Sequence, residues 1–133
     1  MNQTKGARQP RPSSALIFVV DDNALLVEYA CTVLKTQGYR VAQFTDPKAA
    51  LKAIQDANPK PAALITDYDM GEMNGLELID CSHKVHPALR TVLLSGTIDG
   101  AFVANHPTKV NRFLVKPYLP DQLKTTLEEA LQP

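Results

Sequence analysis

Short apolar segments of strand length alternate five times along this chain with segments of helical periodicity. The run ALIFVV at 15–20 is continuously apolar, as expected for a strand that is covered on both faces. The pattern predicts strands over 15–20, 39–44, 62–66, 90–95 and 110–115. It predicts helices over 24–37, 47–57, 76–85 and 120–131, and the ambiguous segment 98–106 is assigned a fifth, short helix.

The helical segments carry inward faces and recognisable end signals. The residues predicted to share one face of the first helix are Leu26, Ala30, Val33 and Leu34. Gly38 ends that helix at a position that favours a left-handed backbone, and a proline opens the second and the last helix. In the ambiguous segment, Phe102 and Val103 are predicted to face inward.

Strands that alternate with helices through short connections predict an α/β fold. The expected architecture is a doubly wound, five-stranded parallel sheet with helices on both faces and right-handed crossovers. At 133 residues the chain is long enough for one self-sufficient core. Residues 1–14 are polar and contain two prolines, so they predict a flexible N-terminal tail ahead of a single domain over 15–133.

The composition excludes several classes of protein. A formal net charge of zero gives no overall field that would attract nucleic acid or a membrane surface. No apolar run reaches the ~18 residues of a membrane span, and the N-terminus lacks the apolar stretch of a secretory signal. Cys31 and Cys81 lie in helical segments and are predicted to be buried free thiols. Together these features predict a cytoplasmic protein.

Chemically active side chains stand at the ends of four of the five predicted strands. The first strand is followed by Asp21 and Asp22, the third by Asp67 and the fifth by Lys116, while the fourth ends on Ser95. The carboxyl ends of parallel strands open onto one edge of the sheet, so these side chains are expected to share that edge. If the first and third strands are neighbours, as in the order 2-1-3-4-5, the three carboxylates converge.

Three converging carboxylates repel one another and require a cation. All-oxygen ligation with few protein donors suits Mg²⁺, which prefers to share its coordination shell with a phosphate. In such a site Lys116 would bind a phosphate oxygen, Ser95 would offer a hydroxyl donor, and Asp67 would be a nucleophile that forms an acyl phosphate. Each residue taken singly is also explained as a helix cap, a turn residue or a solvated lysine, so the prediction depends on their combination.

Four segments of the chain resemble the receiver domain of two-component response regulators, the CheY-like family. They are FVVDDN at 18–23, LITDYDMGEMNGLEL at 64–78, VLLSG at 92–96 and FLVKP at 113–117. The resemblance implies that Asp67 accepts a phosphoryl group from a sensor histidine kinase or a histidine phosphotransfer protein. It further implies that Mg²⁺ is held by Asp21, Asp22, the Asp67 side chain and the main-chain carbonyl of Asp69.

The resemblance also assigns roles in switching and in phosphoryl lifetime. Lys116 would pair with Asp67 or its phosphate, and Ser95 stands where the family has a hydroxyl that turns toward the phosphate. Phe113 stands at the position of a switch aromatic, without the hydroxyl that a tyrosine would carry. Asp69 and Thr97 stand at positions that modulate hydrolysis. Output would pass through the surface of the fourth helix, fifth strand and fifth helix to an unidentified downstream protein or to a second copy in a homodimer.

The chain departs from the family pattern in three places. Gly71 stands where a proline is usual, which loosens the loop beside the phosphorylation site. Gly96 replaces the usual alanine after the switch hydroxyl, and residues 97–109 match poorly. We therefore expect a short or mobile fourth helix.

Two other functions compete with a phosphoacceptor that is not itself a turnover enzyme. One is a degenerate receiver that acts by protein contact without taking phosphate. The other is a phosphatase of the haloacid-dehalogenase type, because Asp67-Tyr68-Asp69 has the DxD pattern of that class. That motif should follow the first strand, however, and here it follows the third. His83, His86 and His106 are predicted to be surface histidines.

Overall fold

Five strands and five helices alternate along residues 15–133, which a computed structural model describes; the predicted tail at 1–14 lies outside the described residues. The strands are β1 (Leu16–Val20), β2 (Arg40–Phe44), β3 (Ala63–Asp67), β4 (Arg90–Ser95) and β5 (Arg112–Val115). The helices are α1 (Ala24–Thr36), α2 (Pro47–Asp56), α3 (Gly75–Val85), α4 (Gly100–Ala104) and α5 (Pro120–Leu131). The predicted α/β alternation is confirmed, with boundaries that differ from the predicted ones by at most two residues.

The sheet is parallel throughout and has the order β2-β1-β3-β4-β5, which confirms the predicted fold class. β1 and β3 are therefore neighbours. Val20 pairs with Thr66, so the residues that follow, Asp21 and Asp67, reach the carboxyl edge at the same level. On the other side of β3, Asp67 pairs with Leu94. The strand order thus places the candidate acids next to each other.

Alternate residues of the strands point to two separate cores, one on each face of the sheet. Ile17 and Val19 of β1 pack with α1 and α5. Phe18 and Val20 pack on the opposite face with α2, α3 and α4. All five residues of β3 are buried, as expected for the central strand of a sheet covered on both faces. Because both faces are covered, polar side chains from several strands can meet only at the ends of the strands.

The predicted inner face of α1 is wrong at its first residue. Leu26 is 39% exposed, whereas Val27 is buried and forms the inward stripe with Ala30 and Leu34. The stripe follows the i, i+3, i+7 spacing, but it begins one residue later than predicted. Leu26 lies in the first turn of α1, which extends past the end of the sheet, and it lines a groove beside Lys116.

In α4 only half of the predicted inward pair is buried. Val103 is 9% exposed, but Phe102 is 43% exposed and lies edge-on to Tyr68, with 5.9 Å between ring centroids. The helix has only five residues, so a single side chain can reach the core. The expected short fourth helix is observed.

Two further predictions about side-chain exposure need correction. Cys31 is buried as predicted, but Cys81 is only partly buried, because it lines an open groove between α2 and α3 together with charged side chains. The three histidines predicted on the surface are all partly buried. The Nε2–H of His83 donates to the main-chain oxygen of Leu89 and that of His86 to the main-chain oxygen of Pro61, while Nδ1 of His106 accepts from a main-chain N–H. Within residues 15–133, none of the helices has the length and apolar character needed to cross a membrane.

Candidate functional site

The connection from β1 to α1 presents two carboxylates because a third residue caps the helix. Asn23 is the N-cap of α1, and its side chain accepts hydrogen bonds from the main-chain N–H groups of Leu25 and Leu26 at 3.0 and 3.2 Å. Asp21 is 3% exposed and accepts from the N–H of Asn23 at 3.0 Å, while Asp22 is exposed. The two acids are thus left to bind other groups at the edge of the sheet.

Asp67 is the last residue of β3 and is 6% exposed. Its position depends on Gly75, the first residue of α3. A Cβ at Gly75 would lie 2.3 Å from the main-chain oxygen of Asp67 and 2.7 Å from Cδ1 of Leu93. Only glycine therefore lets α3 begin this close to the strand. Asn74 caps the helix in a reciprocal capping box with Glu77, which holds this close approach in place.

Lys116, the residue that follows the edge strand β5, forms ion pairs with two of the acids. Its Nζ lies 2.8 Å from Oδ2 of Asp21 and 2.8 Å from Oδ1 of Asp67. The lysine side chain is 18% exposed, and its main-chain N–H donates to the carbonyl oxygen of Ser95 at 2.9 Å. Residues that are 95 positions apart in the sequence therefore meet in one ion-pair network.

The electrostatics of this network oppose ionisation of Asp67. Burial raises the pKa of the Asp67 carboxyl, Lys116 lowers it, and the charge of Asp21 raises it, with a net upward shift. Burial alone would lower the pKa of Lys116, but its hydrogen bonds with Asp21 and Asp67 outweigh burial and raise that pKa. The ammonium is therefore held in its charged form, and the acids still carry more charge than one lysine neutralises.

The acidic cluster fits a small divalent cation. One carboxylate oxygen from each of Asp21, Asp22 and Asp67 lies within 4.8 Å of the other two. Three hard oxygen donors, two of them buried and one exposed, match the preference of Mg²⁺ for few protein ligands and retained waters. The main-chain carbonyl of Asp69 as a further ligand stays a prediction.

Ser95 is completely buried at the end of β4, and its hydroxyl is engaged by the loop that follows. Its Oγ accepts from the main-chain N–H groups of Thr97 and Ile98 at 3.0 and 3.1 Å, and lies 3.1 Å from Oγ1 of Thr97. The hydroxyl of Thr97 in turn donates to Oδ2 of Asp69 at 2.5 Å. Asp69 and Thr97 were both expected to modulate hydrolysis, but their direct contact was not predicted, because 28 residues separate them.

Phe113 is half-buried in β5 and packs against the core on the α2, α3 and α4 face. Its predicted role as a switch aromatic stays a prediction. Sequence reasoning missed an apolar groove beside Lys116, of about 340 Å³, that Leu26, Tyr29, Pro117 and Tyr118 complete. The rings of Tyr29 and Tyr118 lie 5.8 Å apart between centroids. The only sequence signal for this groove is the tyrosine that follows the Lys-Pro pair.

Comparisons with known proteins agree with this geometry. The family model described as response regulator receiver domain matches residues 17–128. Chemotaxis protein CheY1 of Helicobacter pylori is 30% identical over 120 residues, which cover 86% of this chain and 95% of the relative. Sensor kinase CckA of Brucella abortus is 29% identical over 90% of this chain, but the chain spans only 13% of that kinase.

Solved structures of similar proteins superimpose on most of the described chain. NtrX from Brucella abortus has a TM-score of 0.78 at 31% identity, covering 88% of this chain and 27% of that one. Vibrio cholerae chemotaxis protein CheY4 has a TM-score of 0.80 at 24% identity, covering 88% of this chain and 98% of that one. Both similarities support the fold, and the match to NtrX is confined to 27% of that chain.

Proposed function

Because this chain belongs to the response regulator receiver domain family, we propose that Asp67 accepts a phosphoryl group from a phosphohistidine. The donor would be a sensor histidine kinase or a histidine phosphotransfer protein. The observation that carries the proposal is the placement of Asp67 between Lys116 and the carboxylates of Asp21 and Asp22. That placement supplies a nucleophile, a fixed cation and a metal-binding set at one edge of the sheet.

In the transfer step a carboxylate oxygen of Asp67 forms a bond to phosphorus while the phosphorus–nitrogen bond of the donor breaks. The electron pair of that bond stays on the imidazole nitrogen, which takes a proton from solvent. Mg²⁺ bound by Asp21, Asp22, Asp67 and the main-chain carbonyl of Asp69 would offset charge on the transferring phosphoryl group. Lys116, already 2.8 Å from Asp67, would pair with a phosphoryl oxygen of the product.

The outcome of the reaction would be a stored acyl phosphate rather than a released product. We propose that this chain promotes its own phosphorylation and dephosphorylation and is not a turnover enzyme. The stored charge would draw in the Ser95 hydroxyl and bias the packing of Phe113, a local change that shifts a two-state element. The affected surface would be α4, β5 and α5, where Phe102 and Val115 are 43% and 55% exposed.

The face that would receive the phosphodonor is apolar and lies directly beside Lys116. Leu25 and Leu119 are 75% and 68% exposed, and each is the sequence neighbour of a residue that lines the groove, Leu26 and Tyr118 respectively. Large exposed apolar side chains grouped around a reactive site mark a protein contact. We propose that the protein bearing the donor phosphohistidine docks here.

Mass spectrometry after incubation with acetyl phosphate and Mg²⁺ tests the proposed phosphorylation without a partner protein. The wild type should gain one phosphoryl group, and Asp67→Asn, which keeps the side-chain shape, should gain none. Omission of Mg²⁺ should prevent the gain in the wild type. A wild type that takes no phosphate, or an Asp67→Asn variant that takes as much as the wild type, would refute the assignment. The first result would also favour the degenerate receiver as an alternative.

A further inference from the structure

Ser95, Thr97 and Asp69 form a continuous chain of hydrogen bonds, here called the hydroxyl chain. It joins the end of β4 to the loop that follows β3, which carries Asp69 two residues beyond Asp67. The distances are 3.1 Å between the two hydroxyl oxygens and 2.5 Å from Thr97 Oγ1 to Asp69 Oδ2. The two loops that border the phosphorylation site are therefore tied to each other.

The number of hydroxyl protons determines the direction of each bond in the hydroxyl chain. A threonine hydroxyl has one proton, and a carboxylate can only accept, so Thr97 donates its proton to Asp69. The hydrogen bond between the hydroxyls of Ser95 and Thr97, at 3.1 Å, then requires Ser95 to be the donor and Thr97 the acceptor. The single proton of the Ser95 hydroxyl thus points toward Thr97, and its lone pairs accept from the N–H groups of Thr97 and Ile98.

We infer that Thr97 is a positioning residue that, oriented by Asp69, holds the Ser95 hydroxyl away from the phosphoryl group. This inference rests on the proposed phosphorylation of Asp67. For Ser95 to donate to a phosphoryl oxygen, its bond to Thr97 must break, because the hydroxyl has no second proton. The hydroxyl chain therefore opposes the phosphorylated arrangement, and its loss shifts the equilibrium toward that arrangement.

Burial makes this competition effective. Ser95 is completely buried, so water does not replace a lost partner, and a buried polar group without a partner is costly. Movement of its hydroxyl also removes the acceptor of two main-chain N–H groups in the loop that leads to α4. Breaking the hydroxyl chain at one side of the site thus loosens the segment that enters the proposed output surface.

A phosphoryl mimic, beryllofluoride with Mg²⁺, tests the inference on the whole chain. Its binding is followed through the NMR amide signal of Ile98, whose N–H bonds to Ser95 in the absence of phosphate. We expect Thr97→Val, which removes the hydroxyl without a change of charge, to bind beryllofluoride about tenfold more tightly than the wild type. Tenfold corresponds to ~1.4 kcal/mol, which is within the range of one hydrogen bond.

Two further variants separate positioning from a general structural effect. Thr97→Ser keeps the hydroxyl and should bind with the affinity of the wild type. In a Ser95→Ala background, Thr97→Val should give no gain, because Thr97 acts through Ser95. Thr97 is exposed, so its substitution does not threaten folding, and thermal unfolding confirms that each variant is folded.

The outcomes distinguish this inference from the function on which it rests. Equal affinity of Thr97→Val and wild type, or a tenfold gain that persists without Ser95, would overturn the hydroxyl chain as a restraint while leaving the phosphorylation of Asp67 intact. A wild type that binds no beryllofluoride and takes no phosphate from acetyl phosphate would overturn both.

Discussion

Replacement of Asp67 by asparagine should stabilise the metal-free protein at neutral pH and should abolish the proposed phosphorylation. The side chain is 6% exposed, and its ionised form faces Asp21 as well as Lys116. Asparagine keeps the shape and can still accept from Lys116, but it carries no charge. The net upward shift of the Asp67 pKa means that the fold disfavours the carboxylate, so its removal should raise the free energy of unfolding.

The size of the stabilisation expected for Asp67→Asn follows from three electrostatic contributions: repulsion by Asp21, attraction by Lys116 and the cost of burying the charge. Carboxylate oxygens of Asp21 and Asp67 lie within 4.8 Å of each other, and at that upper limit Coulomb's law with an effective dielectric constant of about 20 gives a repulsion of roughly 3 kcal/mol. The same estimate gives an attraction of roughly 6 kcal/mol for Lys116 and Asp67 at 2.8 Å. Burial of the charge costs several kcal/mol more, which leaves about 1–2 kcal/mol against the carboxylate.

Thermal unfolding of wild type and Asp67→Asn in EDTA, as a function of pH, measures this difference. At pH 7 the variant should unfold about 4–8 °C above the wild type. The stability that protonated Asp67 contributes is complete below its ordinary pKa near 3.8 and is lost as the pH rises through the raised value of the folded state. The advantage of the variant should therefore vanish as the pH falls toward 3.8.

Magnesium provides the matched control, since it neutralises the charge that asparagine removes. Saturating Mg²⁺ should stabilise the wild type by about 2.7 kcal/mol at 100 times the dissociation constant, and the variant by less. The reasoning is refuted if Asp67→Asn unfolds at or below the wild-type temperature in EDTA at pH 7, or if the difference does not depend on pH.

Three other predictions concern packing, docking and thiol reactivity. Gly75→Ala should lower the free energy of unfolding by about 2–3 kcal/mol in urea titrations, because its methyl group would overlap the main chain of Asp67. Leu25→Glu should slow phosphotransfer from a phosphohistidine protein about tenfold in a radiolabel assay and leave acetyl phosphate labelling unchanged. Burial raises the pKa of Cys31 to about 11, so mass spectrometry should find iodoacetamide on Cys81 first at pH 8.

Each of these predictions has a control and an outcome that would contradict it. For the glycine, substitution of the exposed Gly100, where an added methyl group meets nothing within 4 Å, should be tolerated; equal losses at both sites would rule out the steric explanation. If acetyl phosphate labelling of Leu25→Glu falls as much as phosphotransfer does, the apolar face is not a docking surface. In urea both thiols should react alike, and equal alkylation of the native protein would count against a buried Cys31.

The sequence was sufficient to predict the fold and to predict which residues form the acidic cluster at the carboxyl ends of the strands. Continuous apolar runs indicated buried strands, and the residue after each run showed which chemistry the carboxyl edge would carry. Burial and the two-residue period of a strand are properties of neighbouring residues, so a linear pattern contains them. The order of the strands followed from the family resemblance, and the structure confirmed it.

The limits of each helix relative to the sheet, and the contacts between loops, could not be predicted from the sequence. Leu26 and Phe102 were predicted to face inward from their spacing, but α1 extends past the sheet at its first turn, and α4 is too short to bury both of its apolar residues. The tie between Asp69 and Thr97 spans 28 positions, and no periodicity relates two loops.

The sequence alone therefore determined which residues reach the end of each strand, because side-chain direction and burial repeat along an element. Only the tertiary structure determined which of those groups touch. The bridge of Lys116 between Asp21 and Asp67, and the direction in which the Ser95 hydroxyl points, depend on how β1, β3, β4 and β5 are set side by side. Distances of a few ångströms between separate elements result from the packing of the whole domain, and no local pattern specifies them.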